Sequence, residues 1–116
     1  MLIAFTAAGK GGLKADVDQR FGRAPHFVIV DTESGDAVDE FDNPAIHADH
    51  GAGPQAAALV AEHGARGVVS GDFGPKAQAA LEGLGLGMWK IKDPTTVEET
   101  LRLYREGGLE EIKPPR

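Results

Sequence analysis

Pro54-Gln55-Ala56-Ala57-Ala58-Leu59-Val60-Ala61-Glu62-His63-Gly64-Ala65-Arg66-Gly67-Val68-Val69-Ser70 is the stretch in which the chain changes its period. Ala56, Leu59, Val60 and His63 recur at helical spacing, Gly64 ends the helix, and Gly67-Val68-Val69-Ser70 follows as a short apolar strand. Upstream, the pattern is that of strands alone. Leu2-Ile3-Ala4-Phe5 is continuously apolar, as a buried strand is, and His26-Phe27-Val28-Ile29-Val30-Asp31 is a second strand. Glu33-Ser34-Gly35-Asp36 turns the chain into a third strand, Ala37 to Asp42. Its Asp39, Glu40 and Asp42 suit an exposed edge, where charge discourages further pairing.

Downstream, helices and strands alternate. Gly71-Asp72-Phe73-Gly74-Pro75 leads into a helix with Ala77, Ala80, Leu81 and Leu84 on one face. Leu86 to Ile91 is a fifth strand. Thr95 or Thr96 then caps a last helix, with Glu98 or Glu99 as reciprocal partner, and Gly107-Gly108 stops it. Residues 109–116, ending in Lys113-Pro114-Pro115-Arg116, read as a loose tail. A meander followed by right-handed crossovers predicts an α/β protein whose five-stranded mixed sheet has the order 3-2-1-4-5. The 116 residues fit one domain with one sizeable core.

Composition narrows the function classes. No cysteine is present, which removes disulfides, thiolate zinc sites, cysteine-held iron–sulfur clusters and cysteine nucleophiles. A net charge of −6 is a poor match to a nucleic-acid backbone. No apolar run approaches the length of a membrane span, and the start Met-Leu-Ile-Ala-Phe lacks a basic leader. The expectation is a cytoplasmic protein with neither nucleic-acid nor membrane partners.

In the predicted topology the loop after strand one, the start of strand two and two helix N-termini share one sheet edge. Ligands in such sheets bind outside the carboxyl ends of the parallel strands. Arg20, Arg23, His26, His47 and His50 fall on that edge. In Ala45-Ile46-His47-Ala48-Asp49-His50-Gly51-Ala52-Gly53-Pro54, two histidines three apart precede glycines that allow close backbone approach. Pro54 suits the first helical position, and first-turn amides carry the positive end of the helix dipole. These features describe a site for a metal, an anion, or something that is both.

Four stretches carry a resemblance: Asp18-Gln19-Arg20-Phe21-Gly22-Arg23-Ala24-Pro25, His50-Gly51-Ala52-Gly53, Gly74-Pro75-Lys76-Ala77, and Leu84-Gly85-Leu86. They resemble the dinitrogenase iron–molybdenum cofactor biosynthesis family, which includes NifX, NafY and the C-terminal domain of NifB. The likeness runs from Leu2 to about Gly108. It implies a ribonuclease-H-like three-layer α/β/α fold and a nitrogen-fixation accessory role. It also implies a non-catalytic carrier of a metal–sulfur cofactor, with a cofactor-assembly or acceptor protein as partner. The cargo so implied is a molybdenum- and/or iron-containing sulfide cluster, or the molybdenum–copper type that one subgroup holds. Nitrogenase-associated members carry a histidine where this chain has Arg20, and arginine pairs with anions but does not ligate metal.

Under this reading His47 and His50 are candidate metal ligands and Arg20 and Arg23 are charge partners. Gly51, Gly53 and Gly74 supply backbone donors or spacing, and His26 is a reserve ligand. Each has a plainer reading. The histidines also suit a solvated loop or a strand-start hydrogen bond, and the arginines suit surface pairs with Asp16 or Asp18. Gly9-Lys10-Gly11-Gly12 lacks the hydroxyl that a phosphate loop places on magnesium, so no nucleotide is expected. Strand one contains no carboxylate for two-metal nuclease chemistry, and neither serine sits in a triad-like context. A regulatory or protein-interaction module that kept the fold without a cluster is the alternative, and a metal-dependent hydrolase is a weaker third.

Overall fold

A computed structural model describes residues 1–112. The chain forms β1 (Leu2–Ala7), β2 (His26–Asp31), β3 (Ala37–Asp42), α1 (Ala52–Glu62), β4 (Gly67–Ser70), α2 (Pro75–Gly83), β5 (Gly87–Lys90), α3 (Val97–Arg105) and β6 (Glu110–Ile112). Short 3-10 turns cover Gly12–Lys14 and Pro44–His47.

The strands form one six-stranded sheet of order β3-β2-β1-β4-β5-β6. β1 pairs parallel with β4, and β4 with β5, whereas β2 and β6 run antiparallel to their neighbours. Strand alternation divides the core between the two faces. Ala4, Phe27, Ile29, Val68 and Met88 pack under α1 and α2, together with Ala56, Val60 and Leu81. Ile3, Phe5, Val28, Val30 and Val69 pack on the opposite face against Val97 and Leu101 of α3. Helices therefore cover both faces of the sheet, giving three layers.

The sheet has six strands rather than the five expected. Glu110–Ile112 lies within the stretch read as a tail, yet it pairs with β5 through Met88↔Ile112 and Lys90↔Glu110. Three residues with two exposed glutamates show no strand period, but they cover the backbone edge that β5 would otherwise expose. The remaining tail, residues 113–116, lies outside the described residues.

Several boundaries also move. β1 runs past Phe5 to Ala7, and β5 covers Gly87–Lys90 rather than Leu86 to Ile91. α1 begins at Ala52 and not at Pro54, because the whole first turn lacks intrahelical N–H partners and tolerates proline. Leu84 is 48% exposed instead of facing the core, since α2 ends one residue before it. α3 is capped by Thr96, whose hydroxyl accepts from the Glu99 amide at 3.2 Å.

Candidate functional site

The loop between β1 and β2 is drawn across the ends of β1 and β4 by hydrogen bonds to its main chain. The buried Thr6 hydroxyl donates to the Asp18 carbonyl at 2.8 Å, and the Phe21 amide donates to the Asp72 carbonyl at 3.2 Å. Arg20 and Asp72 form a parallel bridge between this loop and the one after β4. Gly71 permits that approach, because a Cβ there would lie 2.7 Å from the Gln19 Cα. Phe21 and Phe73 are buried beneath the two loops, with ring centroids 5.6 Å apart.

A second set of small residues brings the helix starts together. A Cβ on Gly22 would sit 2.8 Å from the Gly53 nitrogen, and one on Gly53 would sit 2.9 Å from the Ala77 Cβ. Gly22, Gly53 and Ala77 thus stack the loop, α1 and α2 at closer range than larger side chains allow. The result is a cleft of about 500 Å³ lined by the 20–23 loop and by the first turns of α1 and α2.

Both helices open on this cleft without a side-chain cap. Their N-caps are Gly51, in the left-handed region at φ 74°, and Gly74, and neither first turn holds an acidic residue. Among the described residues the amides of Ala52, Gly53, Lys76 and Ala77 have no hydrogen-bond acceptor, while Gln55 and Gln78 already donate to Gly51 and Gly74. α3 is the contrast: Thr96 caps it, and Glu98 and Glu99 occupy its first turn. Two uncapped, unneutralised N-termini at one cleft favour a negative ligand. Arg20, Arg23 and Lys76 line the same cleft, against the single carboxylate of Asp72.

Gly74 differs from the packing glycines. Its φ of −70° and ψ of 161° suit any residue, and a Cβ there would meet nothing within 4 Å. Neither conformation nor packing calls for glycine at this lining position.

Arg20, Arg23, Gly51, Gly53 and Gly74 are thus brought to one cleft, whereas the histidines are not among its lining residues. The Arg20 side chain is 66% exposed, with its Nε 3.9 Å from Asp18 Oδ1. Nη1 of Arg23 donates to the Ile46 and Ala48 carbonyls at 2.9 and 2.8 Å, so this arginine also fixes the histidine loop. His47 and His50 are exposed on that loop, His50 directly before Gly51. No group of three or more histidine, aspartate or glutamate side chains stands ready to hold a metal ion among the described residues.

His26 is buried, and both of its ring nitrogens face carboxylates: Nδ1 lies 2.9 Å from Asp42 Oδ1 and Nε2 lies 2.9 Å from Glu40 Oε1. The hydrogen bond from His26 holds the Glu40 carboxyl below the usual glutamate value. His26 therefore clamps the acidic edge strand rather than facing the cleft. His63 does the same from α1's end, 2.8 Å from Asp39 and stacked on Phe41.

Three contributors carry little signal of their own in the sequence: Asp72 and Lys76, on either side of the Gly74-Pro75 helix entry, and Asn43. Asn43 is buried; its amide donates to the Gly22 and Ala24 carbonyls at 3.1 and 2.8 Å, and its oxygen accepts from Ala45. The available signal was an Asn-Pro pair opening a turn.

Residues 1–107 match the family profile described as dinitrogenase iron-molybdenum cofactor. An uncharacterized protein of Methanocaldococcus jannaschii is 33% identical over 95 residues, 80% of either chain. Among solved structures, the apo form of the orange protein from Desulfovibrio gigas is 37% identical. It has a TM-score of 0.89 and covers 99% of this chain and 95% of its own. A candidate NifB protein from Thermotoga is 31% identical with a TM-score of 0.81, over 99% and 97% of the two chains.

Proposed function

Since the chain belongs to the dinitrogenase iron-molybdenum cofactor family, we propose that it binds an anionic metal–sulfur cluster as cargo, without chemistry of its own. We read residues 1–116 as one domain of ribonuclease-H-like type, acting in the cytoplasm beside a cofactor-assembly or acceptor protein.

The observation that carries this reading is the convergence of two uncapped helix N-termini with Arg20, Arg23 and Lys76 on one cleft. Such clusters are anionic and present sulfide acceptors. Four free amides and three cations answer both properties without thiolate. Gly74 leaves the space that a ligand pressed against main chain requires. His47 and His50, on the loop that leads into Gly51, are the imidazoles available to a metal at the rim.

The test is a visible absorption spectrum with metal and sulfide analysis on protein purified anaerobically from its native host. Stoichiometric molybdenum, with iron or copper and matching sulfide, is the expected result. The charge-reversed variant Lys76→Glu should lose the colour while keeping its circular dichroism. A colourless wild type that also refuses added cluster would overturn the reading in favour of a regulatory or protein-interaction module.

A further inference from the structure

Asp72 is the one acidic residue lining an otherwise cationic cleft. Its Oδ1 accepts from the Phe73 amide at 2.9 Å, which fixes the carboxylate at the head of the 72–74 loop. Lys90 lies 3.7 Å from the same oxygen, across a neighbouring hollow of about 760 Å³ that Asp72 also lines. Its side chain is 70% exposed, and no hydrogen bond from the described residues reaches Oδ2.

A carboxylate is out of place in a general anion site. Sulfate and molybdate are fully deprotonated at neutral pH and offer only acceptors, so beside Asp72 two acceptors of like charge oppose each other. A cluster behaves differently, because it carries electron-poor metal as well as sulfide. Among the cleft-lining residues, Asp72 alone has a side chain able to bond such a metal, through an oxygen that suits iron better than copper(I).

Resting on the cluster-carrier reading, we propose that Asp72 is the specificity-determining residue of the cleft. It turns away bare tetrahedral oxyanions and admits an anion that presents a metal, iron above all, on the side of the 72–74 loop. Lys90 tempers that charge from outside.

The experiment is an anaerobic amide-NMR titration of wild type, Asp72→Asn and Lys90→Met. The probes are molybdate and the dichloroiron(II) adduct of tetrathiomolybdate, a dianion whose iron keeps displaceable chloride ligands. Asparagine keeps the Oδ1 that accepts from Phe73 and replaces the repelling oxygen with a donor, so the fold is retained. Molybdate should bind Asp72→Asn about tenfold or more tighter than wild type, shifting the amides of Ala52, Gly53, Lys76 and Ala77. The iron-bearing probe should bind it about tenfold weaker. Lys90→Met should bind molybdate more weakly than wild type. Equal molybdate affinity in wild type and Asp72→Asn would overturn the role of Asp72, whether or not the iron-bearing probe binds. If wild type ignores the iron-bearing probe while Asp72→Asn gains molybdate, the exclusion stands and the admission of an iron-bearing anion falls. If neither protein takes either probe, the role of Asp72 falls, while the carrier reading answers to the metal and sulfide analysis of the native protein.

Discussion

Replacing Gly53 by alanine tests the geometry that joins the two helix starts. The new Cβ would lie 2.9 Å from the Ala77 Cβ and 3.2 Å from its Cα. Carbon atoms prefer about 3.5–4.0 Å, so α1 and α2 must part by roughly 0.6–1 Å. Overpacking of this kind costs about 1–3 kcal/mol. Alanine recovers up to about 1 kcal/mol as the better helix former. The balance is a loss of about 1–2 kcal/mol, a fall in Tm of roughly 4–8 °C for a domain of this size. Urea unfolding should show it as a lower midpoint with an unchanged slope. Amide shifts at Ala52, Gly53, Lys76 and Ala77 should move with it, and cluster uptake should fall as the donors separate. A midpoint equal to or above wild type would refute the claim that glycine at 53 is what lets the helices meet.

Gly74→Ala is the counterpart: the methyl meets nothing within 4 Å, so stability should stay within about 1 kcal/mol while cluster binding drops, as paired unfolding and uptake assays would show. Asn43→Ala strands the Gly22 and Ala24 carbonyls and the Ala45 amide, and should lower stability by about 2–3 kcal/mol in urea, with faster hydrogen exchange over residues 22–24 and 43–48. The His26 bond lowers the folded Glu40 value below its ordinary 4.5. The stabilisation is therefore fully present above pH 4.5 and lost as pH falls through the folded value. Wild type should exceed Glu40→Gln in stability at pH 6, modestly because the carboxylate is partly exposed, and the gap should close toward pH 3; a gap unchanged by acid would contradict the His26 clamp.

Much of the fold was legible because it is written in local periods. Continuous apolar strands and the helical spacing of Ala56, Val60 and Leu81 announced both faces of the sheet. β6 was not legible, since its strand character comes from β5 and not from Glu110-Glu111-Ile112 itself. The site divided the same way. Glycines flanking helix starts and the basic Asp18–Arg23 loop mark a site by residue type and spacing. Which histidine faces what depends on register: His26 stands opposite Asp42, a pairing that no spacing along the chain encodes. The second task of Arg23, holding the histidine loop, is hidden for the same reason: its carbonyl acceptors lie more than twenty residues away.

The donors at the cleft are main-chain amides, and a main-chain amide survives every substitution except proline. Descendants of this sequence are free to exchange most surface side chains around Ala52, Gly53, Lys76 and Ala77 while inheriting the same four N–H groups. What they cannot exchange is the slimness of residues 22 and 53, on which the meeting of those groups depends. The imprint such a site leaves in a genome is therefore a spacing of missing side chains, not a signature of reactive ones.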